Sequence, residues 1–80
     1  MLKVEEMNAE ELKQTNRQRI GTLIAEARAN EGLSVRKLAD ICGVSHQNIT
    51  KIEHGRYNVS IDILNKVCHA LRLEITLKKK

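Results

Sequence analysis

The residues best suited to chemistry lie together in the run Ser45-His46-Gln47-Asn48-Ile49-Thr50-Lys51. On a 100° wheel centred on Ile49, Ile52 falls beside it, and Ser45 and Glu53 share that side. Gln47, Thr50, Lys51 and His54 point away, with His46 and Asn48 at the edges. The outward face thus offers an amide, a hydroxyl and one cation, and no carboxylate. Those groups suit the edges of base pairs in a major groove. Gln can bond bidentately to adenine, Lys can reach guanine or a phosphate, and Ser or Thr can contact either. An unpartnered, solvated helix face usually mixes in Glu or Asp.

A helix carrying that face has to be held at a steep angle to its neighbour. Ser34 caps a short helix in which Val35, Leu38, Ala39, Ile41 and Cys42 cluster on one side, opposite Arg36, Lys37 and Asp40. Gly43 stops it, and Ser45 caps the next helix, which runs to about His54. Two helices joined by Gly43-Val44-Ser45 come close together, which asks for a small residue at Ala39 and a φ > 0 residue at Gly43. Val44 and Ile49 lock the second helix onto the first.

Around this pair the sequence predicts further helices. Asn8-Ala9-Glu10-Glu11 reads as a capping box, so a helix starts near Ala9. Thr15-Asn16 weakens it and allows a break, leaving 1–16 as an extension with a short helix of its own. From Arg17 the stripe Ile20, Leu23, Ile24, Ala27 predicts a helix that ends at Gly32. Gly55-Arg56-Tyr57-Asn58 is a loop, and Ser60 caps a helix with Ile61, Leu64, Val67, Cys68 and Leu71 inward. The period then changes to two: Leu73, Ile75 and Leu77 alternate with Arg72, Glu74, Thr76 and Lys78. One strand cannot satisfy its own backbone groups, and only Leu2-Lys3-Val4 offers a weak partner within the chain. Pairing across the two-fold axis of a homodimer is the simplest solution, with Leu73, Ile75 and Leu77 as dimerisation residues. A frayed tail is the plain alternative. The chain divides into the extension at 1–16, a helical domain at 17–71, and a C-terminal strand with basic tail at 72–80.

Composition agrees with a small, all-α domain. Eighty residues without Pro, Trp or Phe, and with Tyr57 as the one aromatic, must build an aliphatic core. So small a chain gains from association. The net charge is +4, with the acidic residues concentrated before Gln14 and the basic excess after Ser34, which suits a polyanionic partner. No secretory apolar region and no membrane span are apparent, so a reducing, cytoplasmic setting is expected. Cys42 and Cys68 sit in apolar patterns. Their nearness in sequence to His46 and His69 invites a zinc reading, but finger spacing is absent, so neither metal nor cofactor is expected. No phosphate loop, nucleophile elbow or carboxylate pair speaks for an enzyme.

The run from Ile20 to Leu71 resembles the phage-repressor, Cro-like or XRE-like helix-turn-helix family. The residues that carry the resemblance are Ile20, Arg28, Gly32-Leu33-Ser34, Leu38-Ala39, Gly43-Val44-Ser45 and Ile49. Ile52-Glu53-His54-Gly55, Asn58, and Leu64 through Ala70-Leu71 continue it. It covers about two thirds of the chain, most specifically at Ile52-Glu53-His54-Gly55. It implies a compact four- to five-helix bundle of the lambda-repressor-like type whose third helix enters the major groove of double-stranded DNA, usually as a dimer on a palindromic operator. Position by position, it implies base-reading or groove-edge roles for Ser45, His46, Gln47, Lys51 and Thr50, and phosphate contacts for Arg56 and Asn58. Arg28 and Glu53 match a structural ion pair, and the wheels agree. Val35 stands where many members carry a phosphate-clamping Gln, which leaves anchoring to Ser34, Arg36, Arg56 and backbone amides. Arg72 stands where a Gly often follows the fourth helix, so the chain is expected to pass more directly into its strand.

The expectation is transcription regulation, most simply as an autoregulatory repressor. The strand and extension also resemble antitoxin members of the family. In the rival reading the acidic helix at 9–14 binds a basic partner such as a toxin protein, and DNA binding is secondary. RNA binding comes third, because Tyr57 is the sole stacking candidate. Lys78-Lys79-Lys80 reads as a solvated tail.

Overall fold

The computed structural model describes residues 8–56 and 58–79. Leu2-Lys3-Val4, Tyr57 and Lys80 lie outside the described residues. Among those described are four helices: α1 (Ala9–Asn30), α2 (Val35–Cys42), α3 (His46–Glu53) and α4 (Ile61–Ala70).

Each helix starts where the sequence supplies a capping side chain. Asn8, Ser34, Ser45 and Ser60 accept the backbone N–H groups of Glu11, Lys37, Asn48 and Ile63 at 2.8, 3.0, 3.2 and 3.2 Å. Each cap satisfies a donor that its helix cannot, for about 1 kcal/mol. The helix ends are equally local. At Gly32 and Gly55 the chain turns with positive φ in a paired-bond stop: Leu33 N–H bonds Arg28 O at 3.1 Å, and Arg56 N–H bonds Lys51 O at 2.9 Å.

Two helix expectations are corrected. The break at Thr15-Asn16 is absent, and α1 runs unbroken through both residues. The two cost only tenths of a kcal/mol in propensity, while α1 contacts the end of α3 on both sides of them, through Gln14, Gln18 and Gly21. The boundary expected at residue 16 therefore falls inside a helix, and there are four described helices, not five.

The C-terminus departs as well. Residues 73–79 form no strand in the single chain, because no second strand is there to take their backbone bonds. Nor does the chain pass directly out of α4. Arg72 takes the left-handed conformation itself, at φ 60°, with Leu73 N–H to Cys68 O at 2.8 Å and Arg72 N–H to His69 O at 3.1 Å. Arg72 thus makes the same reversal that glycine makes elsewhere.

α1 packs on α3, and α2 packs on both α3 and α4. Ile24, Leu38, Ile49 and Val67 are sealed at the centre, with Ala39, Val44, Ile52, Leu64, Cys68 and Leu71 around them. The burial of each large aliphatic contributes roughly 1.5–3 kcal/mol. Three residues placed inward by periodicity lie outside: Leu23, Ile41 and Ile61 are all more than half exposed. On α1 the inward position belongs to Gly21, which is buried.

Candidate nucleic-acid interface

α3 is held from two sides, and both follow from residue choice. From within, Ile49 and Ile52 are buried in the core. Along its flank runs α1, whose Gln14, Gln18, Gly21 and Arg28 share one helical face by their spacing of four and seven. A Cβ at Gly21 would overlap the Ile52 carbonyl oxygen and stand 2.7 Å from that of Glu53, so only glycine admits α3 this close. Seven residues on, Arg28 grips Glu53 through two bonds, Nε to Oε2 at 2.6 Å and Nη2 to Oε1 at 3.0 Å. Its Nη1 donates to Leu33 O at 2.9 Å. The carboxylate bonded to Arg28 raises the guanidinium pKa above its ordinary value, more than burial lowers it. The ion pair named in the sequence is therefore a scaffold that ties α1, the α1–α2 turn and α3 together.

Held in this way, α3 turns Gln47, Thr50 and Lys51 to solvent. His46 and Asn48 are half-buried at the edges, where the wheel puts them. His54 follows at the end, its Nδ1 2.8 Å from Thr50 O. A carbonyl only accepts, so Nδ1 carries the proton and Nε2 is left to face outward. Ser45 is exposed, and its Oγ accepts from Asn48 N–H, which leaves the hydroxyl proton for another acceptor. Ser34 repeats this at the start of α2. Arg36, Arg56 and Asn58 are exposed.

A groove of about 290 Å³ between α2 and the start of α3 brings Arg36, Ser45 and His46 together, over a floor of Ala39 and Val44. Asp40 lines the same groove. The sequence reading placed Asp40 on the polar side of α2 but gave it no part in the site. A wheel for one helix does not show which neighbouring helix shares its groove. Gly21 was missed as well, although a lone glycine inside a helical stripe is itself a sign of close packing. Nothing in the sequence pointed to Gln14 or Gln18.

Comparison with known proteins fits this geometry. Residues 24–78 match the family model described as helix-turn-helix. Over 61 residues the chain is 31% identical to the transcriptional regulator ClgR of Mycobacterium tuberculosis, an alignment that covers 76% of this chain and 54% of the relative. The chain thus spans about half the length of that relative. Among solved structures, the clp gene regulator ClgR from C. glutamicum superposes with a TM-score of 0.70 at 36% identity, covering 74% of this chain and 76% of that one. The restriction-modification controller protein C.AhdI from Aeromonas hydrophila gives 0.72 at 30% identity, covering 75% and 91%. The chain belongs to the Cro/C1-type, XRE-like helix-turn-helix family of DNA-binding transcriptional regulators.

Proposed function

We propose that the chain acts in the cytoplasm as a homodimeric repressor, setting two copies of α3 into successive major grooves of a palindromic operator about 34 Å apart. The observation that carries this reading is the outward face of α3, where Gln47, Thr50 and Lys51 stand exposed beside Ser45 and His46. Gln47 reads a base edge, Lys51 and Thr50 extend the contact, and Ser45 and His46 meet the groove edge. Ser34 and Arg36 at the start of α2, and Arg56 and Asn58 between α3 and α4, hold phosphates. Arg28 and Glu53 keep α3 in place and touch no DNA. Occupying a promoter, the protein's own included, excludes polymerase.

The dimer is supported by the apolar groups left on the surface. Leu73 and Ile75 are over one-third exposed, and Leu77 is 99% exposed. A two-fold pairing of the stretch that follows Arg72 would cover them and supply partners to the backbone groups of residues 74–78. Deleting residues 73–80 should then shift the protein to monomer in analytical ultracentrifugation. A dimer of unchanged strength after that deletion would refute the pairing. Among the described residues, no helix is long and apolar enough to cross a membrane.

The test of the whole reading is a fluorescence-anisotropy titration against the duplex upstream of the gene and a scrambled duplex, at two salt concentrations. A preference of about 10³-fold with a steep salt slope is expected. Equal, weak binding to both would overturn it in favour of a protein-interaction role for the acidic start of α1.

A further inference from the structure

The family match begins at Ile24, yet α1 begins at Ala9. The turns upstream of Ile24 touch one place in particular. We infer that they brace the turn after α3, and that Gln14 is a positioning residue which orients the Gly55–Arg56 peptide and so aims Arg56 at its phosphate. This inference rests on the DNA-binding reading above.

The argument concerns a single peptide group. Its N–H, on Arg56, donates to Lys51 O at 2.9 Å. Its C=O, on Gly55, accepts from Gln14 Nε2 at 3.4 Å. One end is fixed by α3 and the other by α1, so the plane of the peptide is set by both helices. Gly55 itself is buried with φ at +69°. A Cβ there would meet Gln18 Cγ at 3.0 Å and the Gln18 backbone at 3.2 Å, so the turn is seated directly on α1. Arg56 leaves this clamped peptide with its own side chain exposed. A long cation on a free loop would lose rotational freedom when it met a phosphate, and a pre-set backbone reduces that loss.

Gln14 donates to this carbonyl, so removing it frees one face of the peptide. Gln14 is exposed on a helix, and Gln14→Ala therefore leaves the fold intact. The first readout needs no DNA. In the free protein, Gln14→Ala should speed amide hydrogen exchange at Arg56 several-fold while Tm barely moves. Unchanged Arg56 protection would overturn the brace.

The second readout is the anisotropy titration with Gln14→Ala, Arg56→Ala and the double variant. Gln14→Ala should weaken binding to the upstream and scrambled duplexes alike, by about three- to tenfold. The salt slope should become shallower by about one phosphate contact. The double variant should bind no worse than Arg56→Ala alone, because Gln14 acts through Arg56. Losses that simply add would overturn the positioning role, as would a Gln14→Ala loss confined to the upstream duplex. If the wild type shows no preference for the upstream duplex, the DNA reading fails, and amide exchange still decides the brace.

Discussion

Arg28 and Glu53 meet fork to fork across the α1–α3 contact, with two nitrogen–oxygen distances of 2.6 and 3.0 Å and only 20% and 8% of their side chains exposed. A pair this enclosed is screened little by salt. Arg28→Ala would leave Glu53 buried without its counter-charge and Leu33 O without its donor. The expected loss of stability is about 3 kcal/mol in urea denaturation. Arg28→Lys should recover only part of it, because an ammonium cannot make the paired bonds. The raised Arg28 pKa implies a contribution to stability that is lost as pH climbs from the ordinary arginine range through the raised value.

Gly21→Ala should be worse than its chemistry suggests. Alanine favours helix over glycine by about 1 kcal/mol, but here its methyl would strike the Ile52 and Glu53 carbonyls, which are backbone and cannot swing aside. Expected is a net loss of about 1–3 kcal/mol, with weaker DNA binding as α3 is pushed out of place. Gly43→Ala is the control. It has nothing within 4 Å at φ +72°, so it should cost only conformational strain, about 1 kcal/mol. If thermal melts show Gly43→Ala to be the more damaging, the close approach of α1 to α3 does not govern the packing.

Arg72→Gly should stabilise the protein. The left-handed φ of Arg72 costs an L-residue about 1–2 kcal/mol, part of which glycine returns through its greater freedom when unfolded. A net gain of about 0.5–1 kcal/mol is expected, read as a rise of a few degrees in Tm.

Three substitutions on the proposed DNA face should separate by their effects. Gln47→Ala should cost about 1–3 kcal/mol on the operator and relax preference at one base pair. Arg56→Ala should weaken every duplex alike and flatten the salt dependence. Asp40→Asn removes a carboxylate from the groove it shares with Arg36 and His46, and should tighten binding to all duplexes, most at low salt. Anisotropy titrations of the three side by side are the measurement.

The two thiols should react differently. Burial pushes the Cys68 thiol above its ordinary pKa, so its thiolate is scarce. Cys42 is half-exposed. Iodoacetamide at mildly alkaline pH should modify Cys42 first, with Cys68 labelled only as the fold opens. The raised folded-state pKa also sets a sign. The unfolded thiol releases its proton first, so stability declines as pH rises from the unfolded thiol's pKa towards the folded one.

Much of this was legible from residue types whose effects are local. Asn8, Ser34, Ser45 and Ser60 cap the helices that they introduce, and Gly32, Gly43 and Gly55 end them, because each effect acts within one turn of chain. The outward face of α3 was equally readable, since Ile49 and Ile52 fix which side is inside. What escaped depends on a second element. Leu23, Ile41 and Ile61 fit an apolar period, but the bundle has no neighbour for them. Thr15-Asn16 reads as a break until the end of α3 is laid against it. Asp40 lies beside Ser45 and His46 only because α2 and α3 share a groove. The alternation at 73–77 is a strand pattern, yet a pattern makes no strand without a second edge to bond to.

The unbroken course of α1 limits which insertions and deletions the gene can tolerate. Gln14, Gln18, Gly21 and Arg28 all meet α3 or its following turn from one rod. One extra codon between Gly21 and Arg28 would rotate everything upstream by about 100° and carry it about 1.5 Å along the axis. Gly21 would then leave the Ile52 carbonyl while Arg28 still held Glu53, so no single compensating substitution could restore both. Length variants of this protein should therefore accumulate before Asn8 or after Lys78, and α1 should keep its residue count even where its sequence drifts.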